Sequence, residues 1–135
     1  MTLRGWLCIA PGITTGWALL DERGNILGTS VWGTAELKTS LDAVIRTAHL
    51  SGMTLTVVIE RIAPGKGLLE QKLAAVVRDI DYVVRETYEL DVIDVSPGAW
   101  EATPVPAAWQ DTPLMSPQRA AIRMGHHTQL QEEYP

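Results

Sequence analysis

The run Val57-Val58-Ile59 leads straight into the carboxylate of Glu60 and the guanidinium of Arg61. A carboxylate that closes a buried strand carries a desolvation cost unless it is paired, hydrogen-bonded or bound to a metal. Glu60 is therefore either one half of a structural ion pair, with Arg61 as its nearest cation in sequence, or an acidic ligand at the end of a sheet. A second segment, Ile9-Ala10-Pro11-Gly12-Ile13-Thr14-Thr15-Gly16-Trp17-Ala18, has the form of a buried strand, a glycine-bearing turn and another strand. Gly12 and Gly16 allow a sharp bend or the close approach of a ligand to the backbone, and Thr14 and Thr15 add hydroxyls at the turn. An ordinary β-hairpin produces the same pattern. Adjacent strands lie about 4.8 Å apart, so if the strands ending near positions 10 and 60 are neighbours, these two positions converge.

Cations are sparse but grouped. Arg61, Lys66 and Lys72 surround the segment Ala63-Pro64-Gly65-Lys66-Gly67, and Arg119, Arg123, His126 and His127 fall on or near a C-terminal helix. If both groups flank one cleft they form a phosphate-facing rim; otherwise they are solvated surface. The net charge of −5 counts against strong non-specific nucleic-acid binding, which works by neutralising phosphates. The adjacent histidines face different ways on a helix, which disfavours joint metal ligation. Of the five tryptophans, Trp6, Trp17 and Trp32 lie in predicted strands and read as core. Trp100 and Trp109 lie in or beside a loop, where an indole either packs or stacks on an unpaired base, a contact worth about 1–3 kcal/mol.

The elements that must position these groups follow from the hydrophobic pattern. Residues 5–10 are almost continuously apolar, as suits a central strand buried on both faces. Residues 15–22 and 26–33 supply two further strands around the Gly24-Asn25 turn, and 54–60 a fourth, rich in β-branched residues. A helix is predicted over 40–50, capped by Thr39 or Ser40 and ended by Gly52. The longest helical pattern covers 68–87, with Leu69, Leu73, Val76, Ile80 and Val83 in a stripe that fits either sheet packing or a dimer seam. A short strand is expected at 91–95, a proline-rich loop from Ala102 to Pro117, and a last helix from Ser116 to about His127. This gives one domain over 1–127, with 128–135 as a polar tail. The order βββαβαβα demands a mixed five-stranded sheet with helices on both faces, an α/β fold. With 135 residues, the chain has length for one sizeable core. Its lone cysteine, Cys8, reads as a buried apolar residue. No apolar stretch approaches the roughly 18 residues of a membrane helix, so no membrane partner is expected and the cytoplasm is the default location.

Taken together, Ile-x-Pro-Gly-x-Thr-Thr-Gly-Trp-Ala, the strand ending in Glu60, Val95-Ser96-Pro97-x-x-Trp100 and the run Ser116 to Gly125 resemble the RuvC-like Holliday-junction resolvases. The similarity is greatest to the shorter, phage-type members. It covers nearly the whole chain in the expected order, with the first motif the most specific. The resemblance implies a ribonuclease-H-like fold, a homodimer, branched DNA as partner, and a two-metal nuclease. In that chemistry two Mg²⁺ (or Mn²⁺) ions roughly 3.5–4 Å apart activate water and stabilise the leaving oxygen, held by carboxylates. The resemblance places those carboxylates at position 10, at Glu60 and on the last helix near position 120.

Two of these positions depart from the pattern. The residues present are Ala10 and Ala120, and Pro117 stands at a neighbouring position that could have carried another ligand. A methyl group coordinates nothing, so Glu60 is the only member of the implied metal set, and one carboxylate makes a weak Mg²⁺ site. Asp21, Asp94 and Asp111 are the alternative acids. Two functions fit. One is a structure-selective endonuclease for junctions, forks or flaps, inactivated here by alanine at 10 and 120, whether those alanines are substitutions or natural. The other is a natural non-catalytic DNA-binding or assembly module on the same fold. In either case Arg61, Lys66, Lys72, Arg119 and Arg123 are the candidate DNA contacts. A sugar-kinase- or actin-like ATPase shares a similar strand-turn-strand, but the chain is too short for its two domains.

Overall fold

The computed structural model describes residues 3–61 and 67–133. Lys66 lies outside the described residues. The chain forms β1 (Leu3–Ala10), β2 (Thr14–Asp21), β3 (Ile26–Gly33), α1 (Leu37–Leu50), β4 (Met53–Glu60), α2 (Leu68–Asp81), β5 (Asp91–Val95) and α3 (Ser116–Glu133). The sheet order is β3-β2-β1-β4-β5, with the first three strands an antiparallel meander and β4 and β5 parallel to β1. This is the mixed five-stranded sheet expected from the pattern.

Strand alternation divides the core in two. Leu7 and Ile9 of β1 and Leu55, Val57 and Ile59 of β4 face α1 and α2, where they meet Leu41, Ile45, Val76 and Ile80. Trp6, Cys8 and Ala10 of β1 and Val58 of β4 face α3, where they meet Ala121, Ile122 and Met124. The central strands are thus buried on both faces, which is why their sequences are apolar without a break. No helix among the described residues is long and apolar enough to cross a membrane.

Three element readings are corrected. Helix α1 starts at Leu37, and neither Thr39 nor Ser40 caps it. Glu36 stands at the N-cap, and its Oε1 accepts the Gly33 N–H at 2.8 Å, fastening the helix start to the end of β3. The helical stripe at 68–87 is not continuous. Helix α2 gives way at Asp81 to a π-helical turn over Tyr82–Thr87. Val76, Ile80 and Val83 are buried against the sheet, whereas Leu68 and Leu69 remain 71% and 52% exposed. The polar tail expected from 128 onward is helical to Glu133. Its polar residues have partners: Thr128 donates to the Met124 carbonyl at 2.9 Å, Gln129 Nε2 to the Asp21 carbonyl at 2.9 Å, and Glu132 pairs with Arg4 at 3.2 Å. Polar composition there marks a helix bonded to the ends of β1 and β2.

Candidate functional site

The parallel register pairs Ile9 with Ile59, so the next step along both strands sets Ala10 beside Glu60. On its other side Ala10 pairs with Gly16 of β2, and Glu60 pairs with Val95 of β5. The first turn of α3 lies directly on this edge. A Cβ placed on Gly16 would stand 2.1 Å from the Pro117 carbonyl carbon, so only glycine admits the helix backbone here. Ala120, one turn on, packs against the cluster that contains Ala10, Val58 and Val95. The structure therefore brings positions 10, 60 and 120 to one end of the sheet. The turn between β1 and β2 is closed by buried Thr15, whose hydroxyl donates to the Gly12 carbonyl at 3.1 Å. That hydroxyl is structural.

Glu60 is half-buried, and its Oε2 accepts two N–H groups from the segment that follows β5: the Gly98 amide at 2.9 Å and the Trp100 indole. Sequence reasoning missed both partners. The signal was present, because a parallel neighbour of β4 must leave the sheet beside Glu60, and Ser96-Pro97-Gly98 is that exit. Among the described residues Glu60 has no cationic partner, so the Glu60–Arg61 pair does not form. The Arg61 guanidinium instead reaches Asp81 at 3.1 Å and Asp94 at 2.7 Å, with Arg85 joining both acids at 3.3 Å. Partial burial works against the Arg61 charge, but the hydrogen bonds it donates to Asp81 and Asp94, and their negative charges, more than offset it and hold its pKa above the ordinary value.

The expected rim of cations is only partly realised. Arg61 is engaged in the acidic network just described. Arg123 Nε donates to the Thr103 carbonyl at 2.7 Å, a second guanidinium nitrogen to the Glu101 carbonyl, and the group stacks over Trp100 at 4.9 Å. Arg119 is exposed at the start of α3, with a 3.3 Å bond to the Leu114 carbonyl. Exposed Lys72 borders a cavity of about 390 Å³ with Ile13 and Thr34, beside the β1–β2 turn. Of the described lysines and arginines of the expected rim, Arg119 and Lys72 are thus the two left to face a ligand. Trp109 lies in a short 3₁₀ turn, Ala107–Trp109.

No protein-family model matches the sequence, and no curated protein matches it. Solved structures do. T. thermophilus RuvC in complex with a Holliday junction substrate superposes with a TM-score of 0.68 at 13% identity, covering 99% of this chain and 97% of that one. A second Thermus thermophilus RuvC structure gives 0.68 at 11% identity, with 96% of each chain covered. The fold is that of RuvC. The ribonuclease-H-like architecture expected from the motifs is therefore present over nearly the whole chain.

The metal pair implied by the RuvC resemblance does not fit the residues here. Ala10 and Ala120 offer methyl groups, and Glu60 Oε2 is taken by N–H donors. The alternative acids do not supply the deficit. Asp21 pairs with Gly5 at the opposite end of β1, Asp94 belongs to the arginine network, and Asp111 is exposed in the loop before α3. His126 bonds the Gly24 carbonyl at 2.9 Å, at that same far end. Among the described residues no group of three or more His, Cys, Asp or Glu side chains gathers to hold a cation.

Proposed function

We propose that this chain is a structure-selective DNA-recognition protein of the RuvC type that binds branched DNA and, as it stands, does not cut it. The observation that carries this reading is the meeting of Ala10, Glu60 and Ala120 at one end of the sheet: of the three implied carboxylates only Glu60 is present there. The solved RuvC structure bound to a Holliday junction supports branched DNA as the partner class. Arg119 and Lys72 are the proposed phosphate contacts, since both are exposed near this end. A homodimer is part of the reading. The exposed Leu68 and Leu69 at the start of α2 are its proposed apolar contact with a second copy.

The test is a gel-shift titration of the full chain on a four-way junction, a fork, a flap and a linear duplex of equal length, with Mg²⁺ present. Preferential shift of a branched form without cleavage products is expected. Equal affinity for the linear duplex would remove the basis for the proposal. A second reading, an endonuclease disabled by its two alanines, is favoured by the retention of Glu60. It requires that the double variant Ala10→Asp/Ala120→Asp cleave junctions with Mg²⁺ or Mn²⁺.

A further inference from the structure

Retention of one carboxylate from a lost metal set needs its own explanation, and the contacts of Glu60 give one. We propose that Glu60 is the anchor of the segment 96–103, with Trp100 as its resident partner, and that it does not serve as a metal ligand in this chain.

A carboxylate oxygen has two lone pairs. Both positions on Glu60 Oε2 are filled, by the Gly98 amide and the Trp100 indole N–H. Gly98 has φ +72°, a left-handed conformation that favours glycine, and it lies inside a turn in which the Ala99 N–H bonds the Ser96 carbonyl at 3.1 Å. Two more turns follow, with Glu101 N–H on the Gly98 carbonyl at 3.1 Å and Thr103 N–H on the Trp100 carbonyl at 2.9 Å. Helix α3 holds the other side of the same segment through Arg123, which bonds the Glu101 and Thr103 carbonyls and covers the indole. The segment is thus fastened from the strand side by an anion and from the helix side by a cation, with the Trp100 ring between them. A divalent ion at Glu60 would be confined to Oε1, would meet methyl groups at positions 10 and 120, and would sit one aromatic ring away from the Arg123 guanidinium. The same groups explain why Glu60 persists without its two partners: its loss would strand two N–H donors and release the loop that borders the cleft.

The inference rests on the reading of this end as a RuvC-type cleft; DNA binding does not enter it. It is tested on the ¹⁵N-labelled full chain, with Trp100→Phe identifying the Trp100 indole signal. Millimolar Mg²⁺ is expected to leave that signal in place, and Mn²⁺ to leave it without selective broadening. Glu60→Gln, which keeps an acceptor oxygen, should retain exchange protection at the Gly98 amide. Glu60→Ala should lose about tenfold, the scale of one hydrogen bond to a charged group. A metal role predicts the opposite, with Gln no better than Ala and the indole signal moved by Mg²⁺, and that result overturns the proposal. Should the Trp100→Phe chains fail to fold by circular dichroism, the Glu60→Gln and Glu60→Ala comparison decides alone. Junction gel shifts on the unsubstituted chain report separately: loss of branched-DNA preference there defeats the functional proposal and leaves the anchor standing.

Discussion

The two faces of the sheet are packed by opposite means. Under α1 and α2 the contacts are made by large aliphatic side chains such as Leu7, Ile9, Ile45, Val57, Ile59 and Ile80, all fully buried. Under α3 the small residues Cys8, Ala10, Ala18 and Ala121 lie among larger ones such as Trp6, Leu20, Ile122 and Met124, and two glycines, Gly16 of β2 and Gly125 of α3, would have an added Cβ in collision with the opposing element. Large side chains bury area and hold helices at a distance from the sheet, so that face supplies stability with little demand for exact placement. Small ones let the backbone of α3 rest on β1 and β2. That close approach brings Ala120 and Arg123 to the level of Glu60. One face of the molecule holds it together, and the other positions the site.

The largest expected effect lies on the first face. Ile80→Ala removes three buried carbons from a fully enclosed position and should lower stability by about 2–5 kcal/mol in urea titrations, the usual range for such truncations. Because this face only stabilises, branched-DNA affinity measured well below the urea midpoint should be unchanged. A loss of affinity without a loss of stability would erase the distinction between the faces.

On the second face one added methyl should do comparable work. Gly16→Ala places its Cβ 2.1 Å from the Pro117 carbonyl carbon and 2.6 Å from the Gln118 nitrogen, both backbone atoms that cannot rotate away. The start of α3 must shift, at a cost of about 1–3 kcal/mol for overpacking. Unlike Ile80→Ala, this change should also weaken exchange protection at Gly98, since α3 carries Arg123. Unchanged stability and an unchanged Gly98 amide would show that the helix does not rest on the strand.

How much of this was legible in the sequence depended on the same division. The strands and the mixed sheet were readable because unbroken apolar runs and short turns leave few alternatives, whereas the order β3-β2-β1-β4-β5 comes from the fold. The convergence of positions 10 and 60 was readable from the strand ends on the condition that their strands are neighbours, and position 120 joined them only through the RuvC resemblance. What a side chain bonds to was not. Glu60 and Arg61 are adjacent in sequence, yet strand alternation sends them to opposite faces, one to Trp100 and the other to Asp81 and Asp94. The end of α2 was misread because a π-helical turn keeps apolar residues at helical spacing while changing the backbone pattern. The last helix was cut short at about His127 because Thr128, Gln129 and Glu132 look like a solvated tail, and only the folded chain shows that Thr128 bonds back into the helix while Gln129 and Glu132 reach the ends of β2 and β1.

A smaller effect tests the close approach in the middle of α3. Gly125→Ala gains about 1 kcal/mol of helix propensity, but its Cβ would stand 2.6 Å from Cys8 Sγ and 3.1 Å from Leu20 Cδ2, both on fully buried residues. A net loss of about 1 kcal/mol is expected, as overpacking exceeds propensity. Cys8→Ala vacates the volume the new methyl needs, so the double variant should be more stable than the sum of the two single changes, by urea titration of all four chains. Strict additivity would mean that Cys8 and Gly125 are not in contact. The thiol itself should resist alkylation in the native state, because burial pushes its pKa up and keeps the reactive thiolate scarce.

The smallest effect concerns the end of α3 farthest from Glu60. There the β2–β3 turn is closed by the Asp21 carboxylate, which accepts the Arg23 and Asn25 N–H groups at 2.9 Å each and Asn25 Nδ2 at 3.0 Å. Burial alone would raise the Asp21 pKa, but these hydrogen bonds and the Arg23 charge win and hold it below the usual carboxylate range. A carboxylate lowered in the folded state adds stability that is complete above its unfolded pKa of about 3.9. That stability is lost as pH falls through the lower folded value. Asp21→Ala should therefore lower the urea midpoint slightly at pH 6, and the difference from the unsubstituted chain should narrow as the pH is taken below the carboxylate range. The exposed setting keeps the effect small. Gln129 bonds the Asp21 backbone carbonyl, which Asp21→Ala retains, so this change disturbs the far end of the helix only through the turn and leaves the contact at Gly16 intact. Gly98 protection should then be unmoved. If it falls with Asp21→Ala as it does with Gly16→Ala, α3 moves as one rigid rod, and the placement of the site belongs to its whole length.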